Sequence, residues 1–562
     1  MTPPQSFAVL NTGTGGFSWT ATATTVSGGS WLSISPDSGN SLSTSFGSVN
    51  VSANPTGLVP GVYYGLVLVS SAGTINSPQQ VEVVLNVLAA DQRAAATVAP
   101  SGLIFSAPEG GDSPSSQTFQ VTNLNASDAP LAVNVKTTGG GDWLVVAPDS
   151  GAIPAGASQI ITVQPVVGSL AAGVYSGSVA LQIGSTALTV NVIFVVVPQA
   201  SPATGQNGSV ASCTPTKLFP IFTSLTQGFA IPAGWPLPIE VAVVDDCGNR
   251  MSSGRVATDF SNGDPRLQLV SLQDGRWEGI WFGRNVRAGQ IVVTANADMD
   301  APMLHGSVPF TGMLMSNSNV PSVDPGGVSG GAGPSPQALI SPGDLISISG
   351  RDFAAAASSA GQLPLTTNLG GTQVLLAGLS LPLIYSSSGR IMAIVPYNLE
   401  PDAQYQVIVS RGGTVSGPQS ATIATAQPGI LQIDTTNSPD VAKNLWARLT
   451  AGTPFDPASA APTAPLKSGD NFVIYCTGLG AIDQMLDPAM PAPATPVKVV
   501  NAVSAAIGGQ SVPVQFAGLV PGYPGLYQIK GMVPSGASVG QNISVTISAA
   551  GQTSAAVKVS VQ

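Results

Sequence analysis

Apolar and polar residues alternate along most of this chain. "SVNVSANP" (48–55), "YGLVLVSS" (64–71) and the closing "SAAVKVSVQ" (554–562) alternate or run apolar, bounded by Gly, Pro, Asn and Ser. Runs of this kind recur about every 8–12 residues, the spacing of strands in sandwiches and barrels. A period of two sends successive side chains to opposite faces, so each run predicts a half-buried strand. Amphipathic helical runs with capping residues do not occur. The most apolar stretch, "LTVNVIFVVV" (188–197), is interrupted by Asn191 and followed by Pro198. It is far shorter than the roughly 20 residues of a membrane-spanning helix and reads as a buried strand. The fold class expected is all-β, built from antiparallel sandwiches.

The strand pattern repeats. Residue 5 set against residue 117 starts an ungapped match that runs to about residue 69. "QSFAVLN" (5–11) meets "QTFQVTN" (117–123), and "GGSWLSISPDSG" (28–39) meets "GGDWLVVAPDSG" (140–151). "GVYYG" (61–65) meets "GVYSG" (173–177). Equal spacing means equal strands and turns, so one domain stands twice in tandem. Trp31 and Trp143 read as plugs between two sheets. PDSG reads as a turn, with Gly at positive φ. "PQASPATGQNGSVAS" (198–212) and "SVDPGGVSGGAGPSPQ" (322–337) read as linkers. The chain is expected to be a tandem array of about five immunoglobulin-like β-sandwich domains, at 1–90, 91–198, 213–318, 336–428 and 429–562. In the second repeat "SGLIFSA" (101–107) forms an opening strand, and at the same offset its counterpart in the first falls before residue 1. Domain 1–90 is therefore expected to lack that strand. One explanation is where the sequence starts. The other is that the open edge accepts a strand from another chain, "AAVKVSVQ" (555–562) being a candidate donor.

Composition narrows function. Of 562 residues only 8% are charged, against about 25% in ordinary soluble domains. With 43% hydrophobic residues the chain is not disordered. The net charge of −10 and the absence of a basic run exclude a nucleic-acid reader. The acids are scattered, so no calcium loop is written. Three cysteines, no C-x-x-C and a lone His305 make no zinc site. In an oxidising compartment Cys213 and Cys247 would pair, and otherwise they are two buried thiols. The pairing is expected, with Cys476 free in the apolar strand "NFVIYCTGLG". "MTPPQSFAVL" lacks a basic start and an apolar core, so either the export signal is expected in a segment outside this sequence, the favoured reading, or the protein is cytosolic.

Two resemblances follow. "ISPGDLISISG" (340–350), "LPLTTNLGGTQVLLAG" (363–378), "LPLIYSSSGRIMAIVPYNL" (381–399), "YCTGLGAI" (475–482) and "VPVQFAGLVPGYPGLYQIKGMVPSG" (512–536) resemble the uncharacterised C-terminal domain of secreted Solibacter-type proteins. Cys476 and Arg390 depart from that family's usual small residue and Gln. No function is established for it. Its first part, 336–428, looks like an IPT/TIG-type sandwich. The repeats at 1–90 and 91–198 resemble BACON domains, on a Trp-Leu-x-x-x-Pro-x-x-Gly core followed by Gly-x-Tyr-x-Gly. That resemblance implies an extracellular setting in the company of carbohydrate-active proteins, and no active site.

No catalytic constellation is written. His305 in "MLHGSVPF" has no G-x-S-x-G partner motif, so a Ser-His-Asp device is absent. Asp245–Asp246, the most conspicuous acid pair, lie adjacent on a strand and point apart, a poor glycosidase couple. Among Trp19, Trp31, Trp143, Trp235, Trp277, Trp281 and Trp446, the pair Trp277 and Trp281 share one strand face. They are the candidate exposed platform for stacking on a sugar ring. The chain is expected to be no enzyme, with no cofactor. The function expected is a secreted or cell-surface structural protein, an adhesion protein or an extracellular fibre subunit. Its partners would be other copies of itself through strand donation, or surface and matrix components. The alternatives are a carbohydrate-binding protein of a polysaccharide-handling system and an enzyme with an unrecognised site.

Overall fold

A computed structural model describes residues 4–89, 92, 94–198, 213–284, 288–318, 320–330, 339–431 and 465–562. The described residues form strands and turns without helix, as a tandem array of immunoglobulin-like β-sandwiches. The chain divides into two compact units. The first holds Met1–Phe17, Gly28–Tyr63 and Val83–Asn317, and the second Ser18–Ser27, Tyr64–Glu82 and Ser318–Gln562.

In the first unit the second repeat shows why its sentence is written as it is. One sheet runs Leu144–Ala147, Ser158–Pro165, Gln117–Thr122, Thr97–Ala99. The other runs Ser150–Ile153, Ala129–Thr138, Gly173–Ile183, Thr186–Val197, Gly102–Pro108. All pairings are antiparallel except that of Gly102–Pro108, which runs parallel to Thr186–Val197. Alternation buries Val179, Leu181 and Ile183 and leaves Ser176, Ala180 and Gln182 exposed. Trp143 fills the space between the sheets, 5.5 Å from the Phe194 ring. Gly177 gives that ring its room: a Cβ would stand 3.1 Å from it, tighter than an ordinary contact. Gly140, at φ +70°, leaves the room taken by Tyr175, whose hydroxyl donates to Ala171 O at 2.8 Å. The first repeat copies these details. Gly28 makes room for Tyr63, whose hydroxyl donates to Val59 O at 2.7 Å. Asn54 N bonds Trp31 O as Val166 N bonds Trp143 O. The Ser-Gly of each PDSG differs from expectation, because it opens a strand, Ser38–Leu42 or Ser150–Ile153.

The third sandwich is one path of eight strands from Leu218–Phe222 to Phe229–Pro232, folded over until Phe222 and Phe310 lie 4.6 Å apart. It packs directly on the second repeat. Ile104 and Val195, with half-buried Val174, Ile193 and Val197, meet Ile221, Ala242 and Val244.

In the second unit, strands Gly16–Thr25 and Gly61–Ser70 of the first repeat pair antiparallel over 20–25 and 65–70. The fourth and fifth sandwiches follow. Ser322–Ser329, which composition reads as linker, is an edge strand on Leu345–Arg351. A bulge absorbs its Pro-Gly-Gly, and Val323 and Val328 on either side are buried. The remainder of that linker, from 331, and 199–212 of the first one lie outside the described residues. The proposed donor strand is already used at home. Val557–Val561 pairs with Gly540–Ala549 and buries Val561, as its alternation requires.

Candidate functional site

Each residue offered for chemistry is held by structure. Trp277 and Trp281 lie on strand Arg276–Phe282 and do share one face, but that face is the core: they are 5% and 4% exposed. Trp277 Nε1 donates to Met251 O at 3.0 Å, and Trp281 Nε1 to Asp264 Oδ2 at 3.1 Å. The Trp281 ring stacks on Phe260 at 4.7 Å. The glycan platform expected at this pair is therefore corrected. Apolar area of this size is stabilised more by the core than by water, and each indole N–H has found an acceptor inside. Trp31 and Trp143 are core plugs. Trp446 lies outside the described residues.

Asp245 and Asp246 build a turn. Asp245 Oδ1 accepts from Cys247 N at 2.9 Å and Asn249 N at 2.8 Å. Asp246 accepts from Thr216 N at 2.8 Å and from the Thr216 hydroxyl. Partial burial opposes the charge of Asp246, but the donors from Thr216 and Lys217 together outweigh it and hold its pKa below the ordinary value. The turn also places Cys247, which forms a disulfide with Cys213, Cα to Cα 5.6 Å. A cleft of about 490 Å³ opens beside it, lined by Val174, Val196 and Phe219 with Lys217 and Asp246. Lys217 stands over the Phe219 ring, 5.4 Å from its centroid. His305 is exposed on strand Met303–Met315 and pairs with Asp298 of the neighbouring strand at 2.8 Å.

The best-organised buried polar group is one that spacing could not reveal. Asp344 of "SPGD" and Thr477 of "YCTG", distant in sequence, meet at the junction of the fourth and fifth sandwiches. Thr477 Oγ1 donates to Asp344 Oδ1 at 3.0 Å and accepts from Leu345 N at 2.8 Å. Tyr527 donates to Gly480 O at 2.8 Å, and Tyr397 accepts from Gly525 N at 2.9 Å. Burial pushes the Tyr397 hydroxyl up to about 12, the Tyr527 hydroxyl well above its ordinary value, and the free thiol of Cys476 upward. Burial keeps these hydroxyls and the thiol in their neutral forms at ordinary pH. The cluster locks two sandwiches together. Among the described residues no group of His, Cys, Asp and Glu could hold a metal ion, and no helix is long and apolar enough to cross a membrane.

Residues 3–82 match the viral BACON domain family. No curated protein matches the chain. Among solved structures, the chain is similar to a chaperone–tip adhesion subunit pre-assembly complex of archaic chaperone-usher Csu pili from Acinetobacter baumannii. Identity is 10% over 40% of this chain and 100% of that one, at a TM-score of 0.19. A protein of unknown function from Porphyromonas gingivalis W83 gives 13% over 40% and 100%, TM-score 0.18. The YadV chaperone gives 11% over 39% and 100%, TM-score 0.18.

Proposed function

We propose that this chain is a non-catalytic structural or adhesion protein that works outside the cell. The observation that carries the reading is the junction of the second repeat with the third sandwich. The outward side chains Val174, Ile193, Val195 and Val197 are spent on Ile221, Ala242 and Val244. Sandwiches joined only by a tether swing freely, whereas an apolar interface holds them in one orientation and transmits load. The BACON match and the disulfide fit an oxidising, extracellular setting, and the C-terminal resemblance to secreted Solibacter-type proteins agrees with it. The sugar-binding alternative loses its platform with the burial of Trp277 and Trp281. If copies assemble by strand addition, the place for it is the part of strand Gln79–Val87 beyond Glu82, because the Gln80 N–H is already donated to Gln406 Oε1. This strand corresponds to the one that Gly102–Pro108 accompanies in the second repeat.

The test offers the full chain to a glycan array, to cell-surface and matrix preparations, and to electron microscopy. Retention on surface or matrix material, or ordered fibres, with a silent array supports the reading. Selective binding of one glycan class, or release of product from one, overturns it.

A further inference from the structure

In the second unit, the hairpin of the first repeat lies on the fourth sandwich. Ser27 Oγ donates to Gly413 O at 3.2 Å, and Gln80 N donates to Gln406 Oε1 at 2.5 Å. A Cβ on Gly378 would stand 3.3 Å from Leu68 Cδ1 and 3.7 Å from Gln80 Nε2. Leu68 and Gln80 therefore share the face turned to the fourth sandwich. Alternation along Gln79–Val87 puts Glu82 on the same face as Gln80. Glu82 is 5% exposed, and neither of its carboxylate oxygens has a hydrogen-bond partner among the described residues. Gln80 Oε1 is unpartnered as well.

A carboxylate in such a place is strongly disfavoured when ionised and tolerable when protonated. The elements in this contact offer it no compensating charge. Gly16–Thr25, Thr372–Leu376, Leu379–Ser380 and Thr414–Val415 carry no titratable side chain. Gly61–Ser70 carries Tyr63, which points to the opposite face, and Tyr64. Gln404–Arg411 carries Tyr405 and Arg411, and Arg411 Nη1 is engaged by Asp352 O at 2.8 Å. Burial alone sets the direction at Glu82, raising its pKa well above the ordinary 4.5.

We propose that Glu82 makes this contact a proton-closed latch, which holds the hairpin on the fourth sandwich while the carboxyl is neutral and loosens as it ionises. In the open state the carboxyl meets water and titrates near its ordinary value. In the closed state it stays protonated to higher pH, so closing takes up a proton. The contact is firmest at or below the ordinary carboxylate range and weakens as pH rises toward the raised value.

The test is amide hydrogen exchange of the full chain from pH 5 to 9, corrected for intrinsic exchange rates, read on peptides covering 64–82 and 404–413. One linked proton changes the opening constant up to tenfold per pH unit. Wild type is expected to open more with rising pH by that slope, levelling once the closed state itself ionises. Glu82→Gln is expected to be flat with pH and better protected at pH 8. Gln406→Ala, which removes a contact and no charge, is expected to raise opening at every pH and keep the wild-type slope. A wild-type profile without pH dependence overturns the latch, and so does a slope that survives in Glu82→Gln.

Discussion

Replacing both Cys213 and Cys247 by Ser tests how the third sandwich is held. The disulfide spans 34 residues. In the chain-entropy model, closing such a loop stabilises by about 4 kcal/mol, almost all of it by restricting the unfolded chain. The folded state keeps the two segments together without it. Leu218–Phe222 pairs with Pro236–Asp245 as far as Leu218 opposite Asp245, and Asp246 caps Thr216 and Lys217. The double variant should therefore fold to the same structure and lose about 2–4 kcal/mol. A domain of this size shifts by about 4–8 °C per kcal/mol, which puts the loss at roughly 8–30 °C in its melting transition. Differential scanning calorimetry of the full chain, with and without the substitutions, reads this directly. Asp246→Asn in the wild-type background should cost about 1 kcal/mol or less, because it weakens one exposed cap. The sign of the pH effect follows from the lowered pKa of Asp246. Its contribution is present above the ordinary aspartate range and is lost as pH falls through the folded value, so the disulfide-free variant should be additionally acid-labile below about pH 4. A double variant that melts within about 2 °C of wild type would refute the entropic account.

Other substitutions probe the remaining readings. Trp277→Ala should destabilise the third sandwich by about 3–5 kcal/mol in denaturant titration while glycan-array signals stay unchanged, since the ring is a core filler. Ile221→Asp places a charge in the apolar junction and should free the second repeat from the third sandwich. Limited proteolysis between them should then accelerate more than tenfold, and an unchanged rate would count against a rigid junction. His305→Ala removes an exposed hydrogen bond to Asp298 and should change stability by no more than about 0.5 kcal/mol.

Much of the architecture is legible in the sequence because strands write their period directly. Alternation predicted sandwiches, and the in-chain repeat predicted that Trp31 and Trp143 would occupy equivalent core positions, since a ring that plugs two sheets needs the same glycines around it. The repeat could not say which outer faces are covered. Val67 and Val179 both point inward, but the outward positions diverge: Tyr64 and Leu66 are buried where Ser176 is exposed and Ser178 half-buried. That change in hydrophobicity was written in the chain as "YYGLVL" against "YSGSVA". Its partner was not, because a covering surface is supplied by residues hundreds of positions away. For the same reason the period placed Trp277 and Trp281 on one face without deciding whether that face met water or the core. Composition misread Ser322–Ser329, since Gly and Pro mark a bulged edge strand as readily as a linker until a neighbouring strand is there to pair with it. Local spacing is a property of the chain, and Asp344 has no neighbour in sequence that points to Thr477. Their hydrogen bond, the burial of Glu82 and the junctions between sandwiches exist only where distant strands meet.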